Sequence, residues 1–154
     1  MNNLLRLEQG EARLVADDPW VLVRDDVPAC GALILPMASY APGQGVWLGP
    51  DDEVEQVLPW LATLPLIALD FPSFRDGRAY SQAYLLRTRM GWRGELRAIG
   101  DVLRDQLSHM RQCGFDAFAV RADKSAEDAL KGLAGMSVQY GRSVIEPRPL
   151  FRRR

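Results

Sequence analysis

From Phe71 to Phe118 the chain reads F-P-S-F-R-D-G-R-A-Y-S-Q-A-Y-L-L-R-T-R-M-G-W-R-G-E-L-R-A-I-G-D-V-L-R-D-Q-L-S-H-M-R-Q-C-G-F-D-A-F. Short apolar runs in it end abruptly in Asp, Gly or Arg, and each is followed by a run with helical spacing. Residues 65–69 (P-L-I-A-L), just upstream, are continuously apolar, as a strand covered on both faces must be. Residues 96–99 and 117–120 repeat that pattern. Between these strands the spacing predicts a helix over 77–90, closed by Gly91, and a helix over 102–112, capped by Asp101 and closed by Gly114. Strands alternating with helices build a mostly parallel sheet with right-handed crossovers.

Upstream, residues 46–48 read as a strand and residues 53–62 as a helix distorted near Pro59. Residues 31–37 are apolar and fit either a strand or the start of a buried helix. Near the N-terminus, 12–15 and 20–23 flank the turn residues Asp17, Asp18 and Pro19, which predicts a β-hairpin. Downstream, Asp123 or Ser125 opens a last helix running to about Ala134, and 138–140 reads as a final strand. The expected architecture is one α/β domain over 1–154. Its parts are an N-terminal hairpin and irregular segment (1–44), a core of consecutive βα units (45–141) and a tail (142–154). An open doubly wound sheet and a half-barrel both satisfy this order.

A chain of 154 residues is the usual size for one domain and buries roughly 70% of its unfolded surface. No apolar run reaches the length of a membrane span, and the N-terminus lacks a basic region followed by an apolar core. The cytoplasm is therefore the expected compartment. Residues 1–60 carry three Arg and ten acids, whereas 61–154 carry sixteen bases and ten acids. Seventeen of the bases are Arg, and eight of those fall between Arg75 and Arg111. Arginine suits planar oxyanions because its fork donates two parallel hydrogen bonds. The overall balance is too even for a dedicated nucleic-acid-binding domain.

In a parallel sheet, ligands bind beyond the carboxyl ends of the strands. Three strands deliver polar residues there: Asp70 followed by Ser73, Arg75 and Arg78; Gly100 and Asp101 followed by Arg104 and Asp105; and Arg121 followed by Asp123. If the strands are neighbours, these groups converge beside helix N-termini and suit a small oxyanion. Asp70 and Asp101 are the candidate general bases. Arg87 falls inside the apolar arc of its helix and needs a partner, with stacking on Tyr84 or a loop carboxylate as the expected answer. His109, the single histidine, borders an apolar arc far from the rim and reads as structural. One His with Cys30 and Cys113 cannot make a normal zinc or iron–sulfur site, so no metal is expected. Neither a dinucleotide fingerprint nor a P-loop is present, so no cofactor is expected either.

The 71–118 block resembles the signature of the bacterial domain of unknown function 934 family. Asp76, Gly77, Arg78, Tyr80 and Ser81 fit its first motif. Gly94, Glu95, Leu96, Arg97, Gly100, Asp101, Arg104, Asp105 and Gln106 fit its second. The resemblance adds Tyr80, Ser81 and Arg97 to the candidate ligand-binding set and assigns no catalytic role to any of them. It implies a place in sulfite reduction, because members are described as oxidoreductases that accompany sulfite reductase and sulfate assimilation proteins. The expected function is an accessory of assimilatory sulfite or sulfate reduction. Such an accessory has no redox cofactor of its own and acts through sulfite reductase or another sulfur-assimilation protein. The alternative is a small enzyme or sensor that binds an oxyanion or a nucleotide sulfate at the Arg/Asp rim. A homodimer is a further expectation.

Overall fold

The structure, a computed structural model, describes residues 1, 3–24 and 31–134. Among the described residues eight strands form a single sheet: β1 (Leu4–Glu8), β2 (Glu11–Val15), β3 (Val21–Leu22), β4 (Leu33–Pro36), β5 (Gly45–Leu48), β6 (Leu66–Phe71), β7 (Glu95–Gly100) and β8 (Ala117–Ala119). Among the described residues three α-helices accompany them: α1 (Arg78–Tyr84), α2 (Leu107–Gln112) and α3 (Ala126–Ala134). The strand order is β2-β1-β8-β7-β6-β5-β4-β3. From β3 to β8 every neighbouring pair is parallel, and β1 joins β8 and β2 antiparallel.

Along the parallel part each new strand is laid beside the last one, always in the same direction. A doubly wound sheet reverses at a switch point, and this order has no reversal, which removes that alternative. The sheet also cannot be flat. Seven strand spacings of about 4.8 Å separate the edges β2 and β3 by about 34 Å in a flat sheet. The chain passes from Val15 to Val21 in six steps, a reach of at most about 22 Å. The edges must therefore curl towards each other, and residues 16–20 form a strap between them. Asp18 on that strap bonds Arg97 of β7, so the face carrying Arg97 is the concave one. The result is a half-barrel.

An N-terminal hairpin exists, but its strands are β1 and β2, joined at Gln9 and Gly10, which both take positive φ. The pairing expected between 12–15 and 20–23 is not made. Val21–Leu22 lies at the opposite edge of the sheet, parallel to β4. The Asp17-Asp18-Pro19 signal marks the strap, because Asp18 is drawn to a buried arginine instead of closing a turn. The strand expected at 138–140, the tail and Cys30 lie outside the described residues.

Strand alternation distributes the core. Ile67, Leu69 and Phe71 of β6 face the helices, together with Leu96, Ala98, Phe115 and Phe118. Leu66 and Ala68 face inward with Ile34, Ile99, Trp20 and Trp47. Both faces of β6 are covered, and all six of its residues are buried, which is why its sequence is apolar without alternation. Residues 54–60 form a 3-10 helix where an α-helix was expected, because Pro59 lacks an N–H and its ring obstructs the preceding turn. Beyond α1, Leu85–Arg89 widens into a π turn before Gly91 stops it at φ 72°.

Candidate functional site

Three strand ends build the carboxyl rim, and the structure divides the expected cluster into an inner, a central and an outer group. At the inner edge Asp70, 7% exposed, accepts a hydrogen bond of 2.8 Å from Nη2 of Arg24. That guanidinium lies 4.9 Å from the centroid of the Trp47 ring. Gly100 closes the floor of this group at φ 92°. A Cβ there would stand 2.5 Å from the Phe71 carbonyl oxygen and 2.6 Å from Oδ1 of Asp70, so only glycine fits.

The central group is the meeting of the two sequence motifs. The Asp101 N–H donates to the Phe71 carbonyl at 2.7 Å, bringing the end of β7 against the end of β6. Asp101 does not cap the following helix. Leu103 is extended, a 3-10 turn spans Arg104–Gln106, and α2 begins only at Leu107. The Asp101 carboxylate instead accepts the Phe74 N–H at 2.9 Å and Nη1 of Arg121 at 2.6 Å. The amide nitrogen of Gln106 donates to the Phe74 carbonyl. Ser73 contributes its hydroxyl oxygen to the Arg75 N–H at 3.2 Å and its carbonyl to the Asp76 N–H at 2.9 Å. The loop 73–76 is thereby fixed from both ends. Arg121 also holds Asp123 at 2.7 Å. The hydrogen bond from Arg121 keeps the Asp101 carboxyl below the usual carboxylate range, and the two carboxylates, Asp123 foremost, push Arg121 upward.

Arg78 opens α1 and is occupied locally. Its guanidinium pairs with Asp76 at 2.7 Å and with Asp51 at 2.6 Å. Hydrogen bonds from Arg78 lower the Asp76 carboxyl to about 2. In the outer group Arg104 pairs with Asp128 at 3.0 Å. Beside that pair lies a cleft of about 260 Å³ lined by Leu103, Arg104, Asp105, Lys124, Ser125 and neighbouring residues.

Three of the expected residues stand apart from the rim's surface. Arg97 is fully buried on the concave face, where Nη1 and Nη2 bond the two Asp18 oxygens at 2.9 and 3.0 Å and Nε bonds Glu95 at 2.7 Å. Arg6 and the Met1 ammonium also reach Asp18. Burial raises the Asp18 carboxyl, but Arg97 and the ammonium overcome this and leave it below its ordinary value. Arg97 therefore belongs to the strap. Tyr80 is half-buried between Phe71 and His109, with ring centroids at 5.1 and 4.3 Å, and desolvation pushes its hydroxyl up to about 12. His109, exposed on α2, meets the rim only through this ring contact with Tyr80. Ser81 lies exposed on α1.

Arg87 meets a loop carboxylate, Asp116, one of the two expected answers, and adds backbone carbonyls to it. It donates to Gly114, Trp92 and Gly94 at 2.8–2.9 Å, with Asp116 further off at 3.6 Å. Cys113 is partly buried, and burial pushes its thiol up, the opposite of a reactive nucleophile. Among the described residues no three His, Cys, Asp or Glu groups gather as metal ligands would. Among them, too, no helix is long and apolar enough to cross a membrane. The sequence reading did not single out Arg24, gave Arg121 only as a strand-end residue of the rim, and gave Gln106 only as a motif position. Arg121 carried a signal, since it ends a predicted strand, but Arg24 and Gln106 act through contacts 46 and 32 residues away.

The model of the family described as "Bacterial protein of unknown function (DUF934)" matches residues 45–151, from β5 onward. The chain belongs to that family. No curated protein matches it.

Proposed function

Taking family membership as the premise, we propose that the protein is an accessory of assimilatory sulfite or sulfate reduction, holding no redox group of its own and acting on a partner reductase. The observation that carries this reading is the state of the rim arginines. Arg78, Arg104 and Arg121 are each paired with the chain's own carboxylates. An oxyanion binding to any of these three must displace a carboxylate already in place, so its gain over the unliganded state is small. Mixed, self-neutralised charge is instead the usual rim of a protein interface, where it selects partners more than it supplies affinity. Tagged protein should retain assimilatory sulfite reductase at low salt and release it as salt rises. Failure to retain any sulfur-assimilation enzyme at low salt would remove this reading.

A second reading is a small oxyanion- or nucleotide-sulfate-binding enzyme or sensor. It is favoured by the cleft beside Arg104, where Lys124 and Ser125 precede the first turn of α3. Asp70 or Asp101 would orient the ligand in this reading. Calorimetric titration with sulfite, sulfate and adenylyl sulfate decides it. The reading requires heat with at least one of these, and that heat must be lost in Arg104→Ala.

A further inference from the structure

Phe74 is a large apolar side chain held 43% exposed on a loop whose backbone is clamped. Its N–H is taken by Asp101 and its carbonyl by Gln106, both from the second motif. Two side chains from a distant segment fix the backbone that carries this exposed ring. Arg75 rests its guanidinium 5.5 Å from the centroid of that ring. Its backbone N–H is fixed by Ser73, so the pair is presented as a unit.

We infer that Phe74 and Arg75 form the anchor of a protein-docking surface, and that the partner offers an apolar socket with an acidic lip. This rests on the accessory reading above and locates the contact within it. A preset aromatic loses little conformational entropy on binding, and buried aromatics with adjoining Arg dominate interface energetics. The socket is set by the ring, and the acidic lip by Arg75, whose guanidinium contacts the Phe74 ring while Arg78 and Arg121 beside it are neutralised internally. A planar nucleotide ring suits the anchor less well. It would compete with Arg75 for the Phe74 face.

The test measures binding of purified assimilatory sulfite reductase to the full-length protein and its variants at low salt. Phe74→Ala should weaken binding at least tenfold, and Phe74→Trp should largely restore it. Arg75→Glu should weaken binding and reduce its salt dependence. Leu14→Ala, an equally exposed apolar residue on the edge strand β2, should leave binding unchanged. Wild-type binding with Phe74→Ala within twofold of it overturns the anchor and leaves the accessory reading standing. No binding by wild type overturns both. Intact reductase binding by Phe74→Ala, together with lost heat for adenylyl sulfate, overturns the anchor in favour of a small ligand stacked on the ring.

Discussion

Gly100 shows how one residue can be dictated by its surroundings. Its φ of 92° is strained for any L side chain, and a Cβ would intrude on the Phe71 carbonyl and the Asp70 carboxylate. Gly100→Ala should therefore lower stability by about 2–4 kcal/mol in urea unfolding, from backbone strain and the displaced Asp70 together. Asp76 offers a pH test. Its folded-state pKa of about 2 lies below the ordinary 3.8. The pairing with Arg78 therefore contributes above pH 3.8 and is lost as pH falls towards 2. Carbon-detected NMR should find the Asp76 midpoint near 2, rising in Arg78→Ala but staying below 3.8, because the backbone N–H of residue 78 still donates to the carboxylate. At this scale the sequence disclosed that Asp70, Asp101 and Arg78 share a rim, because each follows a strand end. It could not disclose that each is already partnered, since Asp70 is answered by Arg24 and Asp101 by Arg121, far away along the chain.

Among the elements, strands were more legible than helices. β5 to β8 fall within a residue or two of the apolar runs that predict them, because a buried parallel strand needs little besides apolar side chains. The helices shorten and change pitch where they meet the sheet. The expected helix at 102–112 becomes a 3-10 turn and a two-turn α2, because Asp101 is drawn away to Phe74. The expected helix at 77–90 ends in a π turn, beyond which the chain turns at Gly91 and Arg87 reaches the carbonyls of Trp92, Gly94 and Gly114. Arg87 is thus a staple between the end of that helix and the loops flanking β7. Arg87→Met should cost about 2–3 kcal/mol, since it strands acceptors that have little access to water. Amide exchange should speed up over 90–95 and 112–116 and leave β5 unaffected.

For the molecule as a whole, the decisive feature is the strap. Residues 16–20 hold the β2 and β3 edges of the sheet within reach of each other, and the Asp18–Arg97 pair fixes the strap to the concave face. Arg97→Met should destabilise the fold by about 3 kcal/mol, because Asp18 remains buried with weaker partners. Adding Asp18→Asn should recover part of that loss, and a double-mutant cycle in urea measures the coupling. An α/β chain of consecutive βα units with a polar rim was readable from residue order alone. Apolar runs and turn residues are local signals, and the crossover rule turns them into a parallel sheet. The choice between open sheet and half-barrel, the strands of the hairpin and the arginines that face solvent emerge only in the folded molecule. Those outcomes depend on ion pairs and hydrogen bonds between residues tens of positions apart, whose energies exist only once the chain has closed on itself.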